Sequence, residues 1–313
     1  MKKWTSIAVA ALISSVAMPV AAGADAGAQP SAQVAQLVKS LKPQQGKFAI
    51  GEAHATLDLG QTYDFYDKDD ARKILVDVWG NPPEAAKNVL GLVMPAGASP
   101  LSDSWGAVVT YEDTGFVSDD DAAEVDYAAL LKQMQEGEAE RNEQRKKQGY
   151  PEIHLAGWAE TPRYDAATHS VVWAQDLAFR ETPVHTLNYD VRTLGRKGVL
   201  SINFISAMSQ LPSIRQAAQA FTTHAAFDAG SRYTDFDAST DKEAEFGIGG
   251  LIAAGVGVAA VKKLGLFAIL LKFLKPILIA VVAGFAVLRG KIAALFGRKP
   301  APEAEWEQSE SGE

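Results

Sequence analysis

LNYDVRTLGRKGVLSIN, residues 187–203, is the stretch whose reading decides the fold class. Residues 187–193 and 199–205 read as two strands, and the Gly-Arg-Lys-Gly sequence between them suits the positive φ angles of a hairpin turn. A second hairpin lies just upstream, with strands at 153–160 and 171–177 around a turn built from residues 162–170. Further towards the N-terminus, residues 90–94 and 105–111 read as strands. Ala53, Ala55, Leu57 and Leu59 alternate with polar neighbours at strand period.

Helical spacing interrupts these strands three times. Asp67 can cap a helix carrying Ala71, Ile74, Leu75 and Val78, closed by Gly80 and the Asn81-Pro82-Pro83 break. Ser118 opens a second, with Tyr127, Leu130, Leu131 and Met134 on one face. Its charged half, 136–148, should be solvated, and Gly149 ends it. A third helix over 212–223 places Ile214, Ala217, Ala218 and Phe221 at core spacing. Strands meeting in hairpins, with helices between runs of strands, imply an α+β fold: a mainly antiparallel sheet with packed helices.

The two ends of the chain point to a membrane. Lys2 and Lys3, an apolar run over 7–20 and the small residues Ala22-Gly23-Ala24 form an export signal, residues 1–24. An Ala/Gln-rich linker with a short helix, 25–47, then leads to an exported domain over 48–246. From 25 to 245 there are 20 Lys plus Arg against 33 Asp plus Glu, whereas 247–299 holds eight basic residues and no acidic one. The acidic domain excludes nucleic acid as a partner, because phosphate contacts need a basic face. Residues 247–290 are apolar apart from a few cations and read as a C-terminal transmembrane helical anchor, with 264–288 long enough to cross. A helical hairpin and an interfacial helix are the alternatives. The tail, 291–313, is basic and then acidic. The cationic flank places that tail in the cytoplasm and the domain on the periplasmic side of the inner membrane. Gly247, Gly249, Gly250, Gly255 and Gly257 would permit helix packing, hence a homo-oligomer through the anchor.

Chemistry is harder to find. The chain has no cysteine, which removes disulfides, thiolate metal sites and cysteine nucleophiles. Asp119, Asp120 and Asp121 are the candidate cation ligands, without the spacing of an EF-hand; the competing reading is a helix start capped by Ser118. The five histidines show no zinc-binding spacing. Glu152 and His154 could form an acid/base pair on one strand face. No phosphate loop, dinucleotide fingerprint or nucleophile elbow is present, so no cofactor is expected and no catalytic residue can be named. Trp79, Trp105, Trp158 and Trp173 read as core and sheet packing.

GFVSDDDA (115–122), GYPEIHLAGW (149–158), PRYD (162–165), VVWA (171–174), the 187–203 block and FDASTDKEAEFGIGGLIAAGVG (236–257) together resemble domain-of-unknown-function family 2167. That resemblance spans roughly residues 51–299. It implies a prokaryotic membrane-anchored protein and assigns no activity or site residue. The leading functional expectation is a non-enzymatic envelope protein that binds a protein or wall component, through the charged helix 136–148 or the basic turn 192–197. The alternative is an envelope hydrolase acting on wall material. A third is an anchor that itself senses anionic lipid.

Overall fold

The computed structural model describes residues 31–179 and 183–254, all within one compact unit. Its centre is the predicted hairpin: β7 (Thr186–Leu194) and β8 (Val199–Ala207) pair in register from Thr186↔Ala207 to Leu194↔Val199. On one side of this pair come β6 (Ser170–Phe179) and β5 (Ile153–Asp165). On the other come β4 (Gly106–Glu112), β3 (Val89–Pro95), the long β2 (Ala55–Asp67) and β1 (Gln44–Ile50). A short β9 (Ala225–Phe227) also pairs with β2, and every pairing between these strands is antiparallel. The predicted α+β class with a mainly antiparallel sheet is therefore observed.

The turn between β7 and β8 needs its glycines for a different reason from the one expected. Neither Gly195 nor Gly198 has a positive φ. A Cβ on Gly195 would instead lie 2.6 Å from the Phe227 ring, and one on Gly198 would collide with the Glu112 carbonyl. Close approach, not backbone handedness, demands glycine here.

Side chains alternate across the sheet and divide its cores. One face carries Leu187, Tyr189 and Val191 of β7 and Leu200, Ile202 and Phe204 of β8. It is covered by α5 (Leu211–His224) through Ile214, Ala217, Ala218 and Phe221. The Phe221 ring meets Phe204 edge-on at 5.3 Å between centroids.

The opposite face carries two separate cores. Under the first lie α1 (Ala32–Ser40) and α2 (Lys68–Lys73), which continues into a wide turn in which the Trp79 amide donates to the Ile74 carbonyl. Leu41, Ala71, Ile74, Leu75 and Trp79 pack there on Tyr66, Leu92, Met94, Val108 and Ile205. Asp67 caps α2 as predicted, accepting from the amides of Asp69 and Asp70. The second core sits under α3 (Tyr127–Glu136) and α6 (Ile248–Ala254), where Leu130, Met134, Ile248, Leu251 and Ile252 meet Val171, Trp173, Leu177, Leu194 and Val199.

Three boundaries differ from expectation. The segment read as a linker has its expected short helix in α1, but it also begins β1; Leu41 is buried, and the Lys42 amide donates to Asp70 at 2.8 Å, so the domain starts well before residue 48. The second helix begins at Tyr127 rather than Ser118, because Asp126 supplies the cap to Ala128 and Ala129. Gly137 then separates α3 from α4 (Glu138–Lys147). The first apolar residues assigned to the anchor form α6 and lie in the second core, Ile248, Leu251 and Ile252 being fully buried. Gly247 there lies against the Asp121 carboxylate and Gly250 against Phe246, so these two glycines serve packing inside the domain. Among the described residues no helix is long and apolar enough to cross a membrane. The export signal, the rest of the anchor from residue 255 and the tail lie outside the described residues.

Candidate ligand site on the central strands

The polar residues of the Asn188-Tyr189-Asp190-Val191-Arg192 sequence alternate with the apolar ones, so all three point to the face that carries two cores. Register places them between those cores. Across one row run Trp173 of the second core, Asp190, Asn203 and then Val108 of the first. The next row is Val171, Arg192, Ser201 and Thr110; the row on the other side is Gln175, Asn188 and Ile205. A strand with this pattern ordinarily turns its polar face to water. Here Asn188, Asp190, Arg192 and Ser201 are 3%, 6%, 3% and 2% exposed.

Charge within the strip is compensated in part. Arg192 Nη1 donates to Glu112 Oε1 at 3.1 Å, Arg192 Nε lies 3.6 Å from Asp190 Oδ1, and the guanidinium sits 5.1 Å over the Trp173 ring. Burial pushes the Asp190 carboxyl above the ordinary carboxylate range, opposed by Arg192 and Asn203. Hydrogen bonding is compensated less completely. Trp173 Nε1, Thr186 Oγ1, Asn188 Oδ1, Arg192 Nε and Ser201 Oγ are buried with no hydrogen-bond partner. Each such group costs a fold about 1–3 kcal/mol. Three of them run along β7 from Thr186 to Arg192, roughly 20 Å at the rise of an extended strand, with Trp173 on β6 and Ser201 on β8 beside them. The strip thus carries a line of mixed donors and acceptors with little net charge.

The residues singled out from sequence go elsewhere. Asp119 accepts from the phenols of Tyr164 (2.6 Å) and Tyr233 (2.9 Å). Asp121 accepts from the amides of Ile248 (2.7 Å) and Gly249 (3.1 Å), capping α6, and Asp120 is exposed. The three side chains do not converge, and among the described residues no group of three or more His, Asp or Glu is placed to hold a metal ion. Glu152 lies 4.0 Å from His154 and pairs with Lys146 at 2.6 Å, while His154 Nδ1 lies 3.2 Å from Glu138. His185 pairs with Asp176 at 2.6 Å, and His224 meets Tyr63 and Phe221 edge-on. Trp79, Trp105 and Trp173 are buried as expected, and Trp158 donates to the Tyr127 carbonyl.

Of the two expected binding surfaces, the charged helix keeps an exposed outer side bearing Glu140, Glu143, Lys146 and Lys147, while its inner side is engaged by the sheet. The polar side of α3 and α4 lies along the edge strand β5. Asn142 bonds both backbone groups of Ile153, Glu138 accepts from the Leu155 amide, and Gln135 donates to the Leu155 carbonyl. These side chains imitate a neighbouring strand and close an otherwise open sheet edge. In the basic turn Arg192 is buried, and Arg196 makes a two-point pair with Asp241 at 2.6 and 3.1 Å, which leaves Lys197 exposed. The signal that marks the central strip in sequence is the Asn-Tyr-Asp-Val-Arg alternation. Only the two flanking cores reveal that its polar side is buried.

Comparison with functionally curated proteins finds no match. Among solved structures, the solution structure of cyanobacterial PsbP (CyanoP) from Synechocystis sp. PCC 6803 matches with a TM-score of 0.33 and 9% identity, over 65% of this chain and 99% of that one. The family model described as a protein of unknown function, DUF2167, matches residues 42–286, and the chain belongs to that family.

Proposed function

We propose that the protein is a membrane-tethered binding protein of the prokaryotic envelope, whose exported domain holds a small polar envelope component in the strip on β7 and β8. The observation that carries this reading is the set of five buried, unpartnered polar atoms along the strip. Groups of that kind gain most when a ligand supplies the missing partners. Both donors and acceptors are present, and Arg192 is already paired with Glu112, so the ligand is neutral and carries hydroxyl or amide groups rather than a phosphate.

The tether rests on sequence and on the position of α6. The signal-like start, the acidic domain and the apolar, lysine-bearing segment from residue 255 support export with retention at the inner membrane. That segment follows directly on a helix packed in the domain core and capped by Asp121, so tether and domain would be joined without a long linker. The test is native mass spectrometry of the full-length protein purified in mild detergent. A bound molecule carried by the wild type and lost from an Asn188→Leu/Ser201→Ala double variant is expected. Equal retention by both proteins, or no bound molecule in either, refutes the reading.

A further inference from the structure

His169 closes the turn between β5 and β6 at φ 48°, in the left-handed region that non-glycine residues seldom occupy. Its half-buried ring stacks on Tyr233 at 4.3 Å between centroids, at the end of a column that continues through Phe116 (4.5 Å) to Phe236 (3.8 Å). Its Nδ1 lies 3.1 Å from Tyr164 Oη, which lies 2.6 Å from Asp119 Oδ2. The other oxygen of Asp119 takes the Tyr233 phenol. Tyr164 at the end of β5, Asp119 on the loop before α3 and Tyr233 on a turn after β9 thus hold one imidazole by one nitrogen and one ring face.

Counting protons sets the tautomer. Burial pushes the Asp119 carboxyl up, but the two phenols more than offset this and hold it below the usual carboxylate range. It is therefore ionised at neutral pH and only accepts. Burial and Asp119 push the Tyr164 phenol up, so it keeps its single proton and gives it to Asp119. The Tyr164 oxygen is then left to accept, and His169 Nδ1 must donate to it. In the neutral ring Nε2 consequently bears the lone pair. Among the described residues Nε2 has no hydrogen-bond partner. Asp120 near Tyr233 and Asp165 near Tyr164 add negative charge beside the relay, with Arg163 and Arg232 next to the two tyrosines in the chain.

We propose that His169 is a general base for the hydrolysis of carboxylic esters, with Tyr164 and Asp119 as positioning residues that orient its ring. Nε2 takes a proton from water while the water oxygen bonds to the ester carbonyl carbon and the carbonyl electron pair moves onto oxygen. Collapse of that intermediate breaks the bond to the alcohol oxygen, which takes the proton back from Nε2. Acid and alcohol leave, and the imidazole is restored. Esters fit better than amides because, among the described residues, no serine or threonine is hydrogen-bonded to the ring, and an alkoxide-type leaving group departs more easily than an amine. The site is separate from the strip on β7 and β8, and either can fail without the other.

The test uses the full-length protein in mild detergent with p-nitrophenyl acetate, following p-nitrophenolate release between pH 5 and 8, with thermal unfolding of each variant recorded alongside. The wild-type rate is expected to rise with pH along a single ionisation. His169→Gln abolishes that ionisation and lowers the rate at least about tenfold, on the scale of general-base contributions. Tyr164→Phe keeps Nε2 but frees the ring, and lowers the rate as well. A wild type no faster than His169→Gln, or a Tyr164→Phe protein with the wild-type rate and pH profile, overturns the proposal. A measurement on the unaltered protein guards against variants that fail to fold: the ring nitrogen-15 shifts of His169 should show the proton on Nδ1 in the neutral form. A proton on Nε2 also overturns it.

Discussion

Removing Arg192 should damage the domain far more than removing the charge of its neighbour Asp190. Arg192 is buried, donates to Glu112 at 3.1 Å, lies 3.6 Å from Asp190 and covers the Trp173 ring. An Arg192→Met substitution keeps much of the volume but leaves the buried Asp190 and the half-buried Glu112 without their cation, and breaking a buried pair from one side costs about 3–5 kcal/mol. For a domain of this size each kcal/mol lowers Tm by about 2–4 °C, so a fall of roughly 6–20 °C is expected. Asp190→Asn is a different perturbation. Burial raises the Asp190 carboxyl above its ordinary value of 3.8, so the folded state keeps its proton over a window in which the unfolded chain has lost it. The contribution of this group therefore falls as pH rises through that window. The neutral amide avoids that loss, so the variant should match or exceed wild-type stability at pH 7, with the difference shrinking as pH falls towards 4. Urea unfolding of the full-length protein in mild detergent, followed by tryptophan fluorescence at pH 7 and pH 5, measures both. Equal costs for the two substitutions, or a cost below about 1 kcal/mol for Arg192→Met, would refute a strip enclosed between the two cores.

Three further outcomes are expected. Asp121→Ala removes the cap that receives the Ile248 and Gly249 amides and should cost about 0.5–2 kcal/mol in the same urea experiment; an unchanged midpoint would show that α6 is held by packing alone. The Asp119 carboxyl is held low in the folded state, so its contribution is present above the unfolded value near 3.8 and is lost as pH falls through the lower folded value. Asp119→Asn should therefore flatten the acid limb of a stability–pH profile, and an unaltered limb would contradict the Tyr164–Asp119–Tyr233 network. Alkaline carbonate washing should leave the full-length protein in the membrane pellet, and its release into the wash would remove the tether.

Much of the architecture is legible in the sequence, because local signals agree with the final packing. The hairpin at 187–203 carries strand-forming residues on both sides of a glycine-bounded turn, and α5 shows its core residues at helical spacing; the observed elements match within a residue or two. The apolar run from residue 247 was ambiguous on physical grounds. A short apolar helix looks the same whether a membrane or a protein core surrounds it, and the contacts of Ile248, Leu251 and Ile252 with Leu130 and Val199 are not encoded locally. The strip failed for a related reason. Alternation identifies which side chains share a face, but whether Asn188, Asp190 and Arg192 meet water depends on cores contributed by segments as distant as 41–79 and 248–253. Tyr164 and His169 share one hairpin, but Asp119 and Tyr233 come from segments 45 and 69 residues away from Tyr164, with no spacing to connect them before the sheet is assembled.

The central claim, that the strip on β7 and β8 holds a polar ligand, is tested most directly by an experimental density map of the full-length protein purified in mild detergent, at a resolution that shows individual waters. One continuous molecule bonded to Trp173 Nε1, Asn188 Oδ1 and Ser201 Oγ is predicted. Separate waters, each satisfied by two to four protein groups, would contradict the account and make the strip a hydrated part of the core.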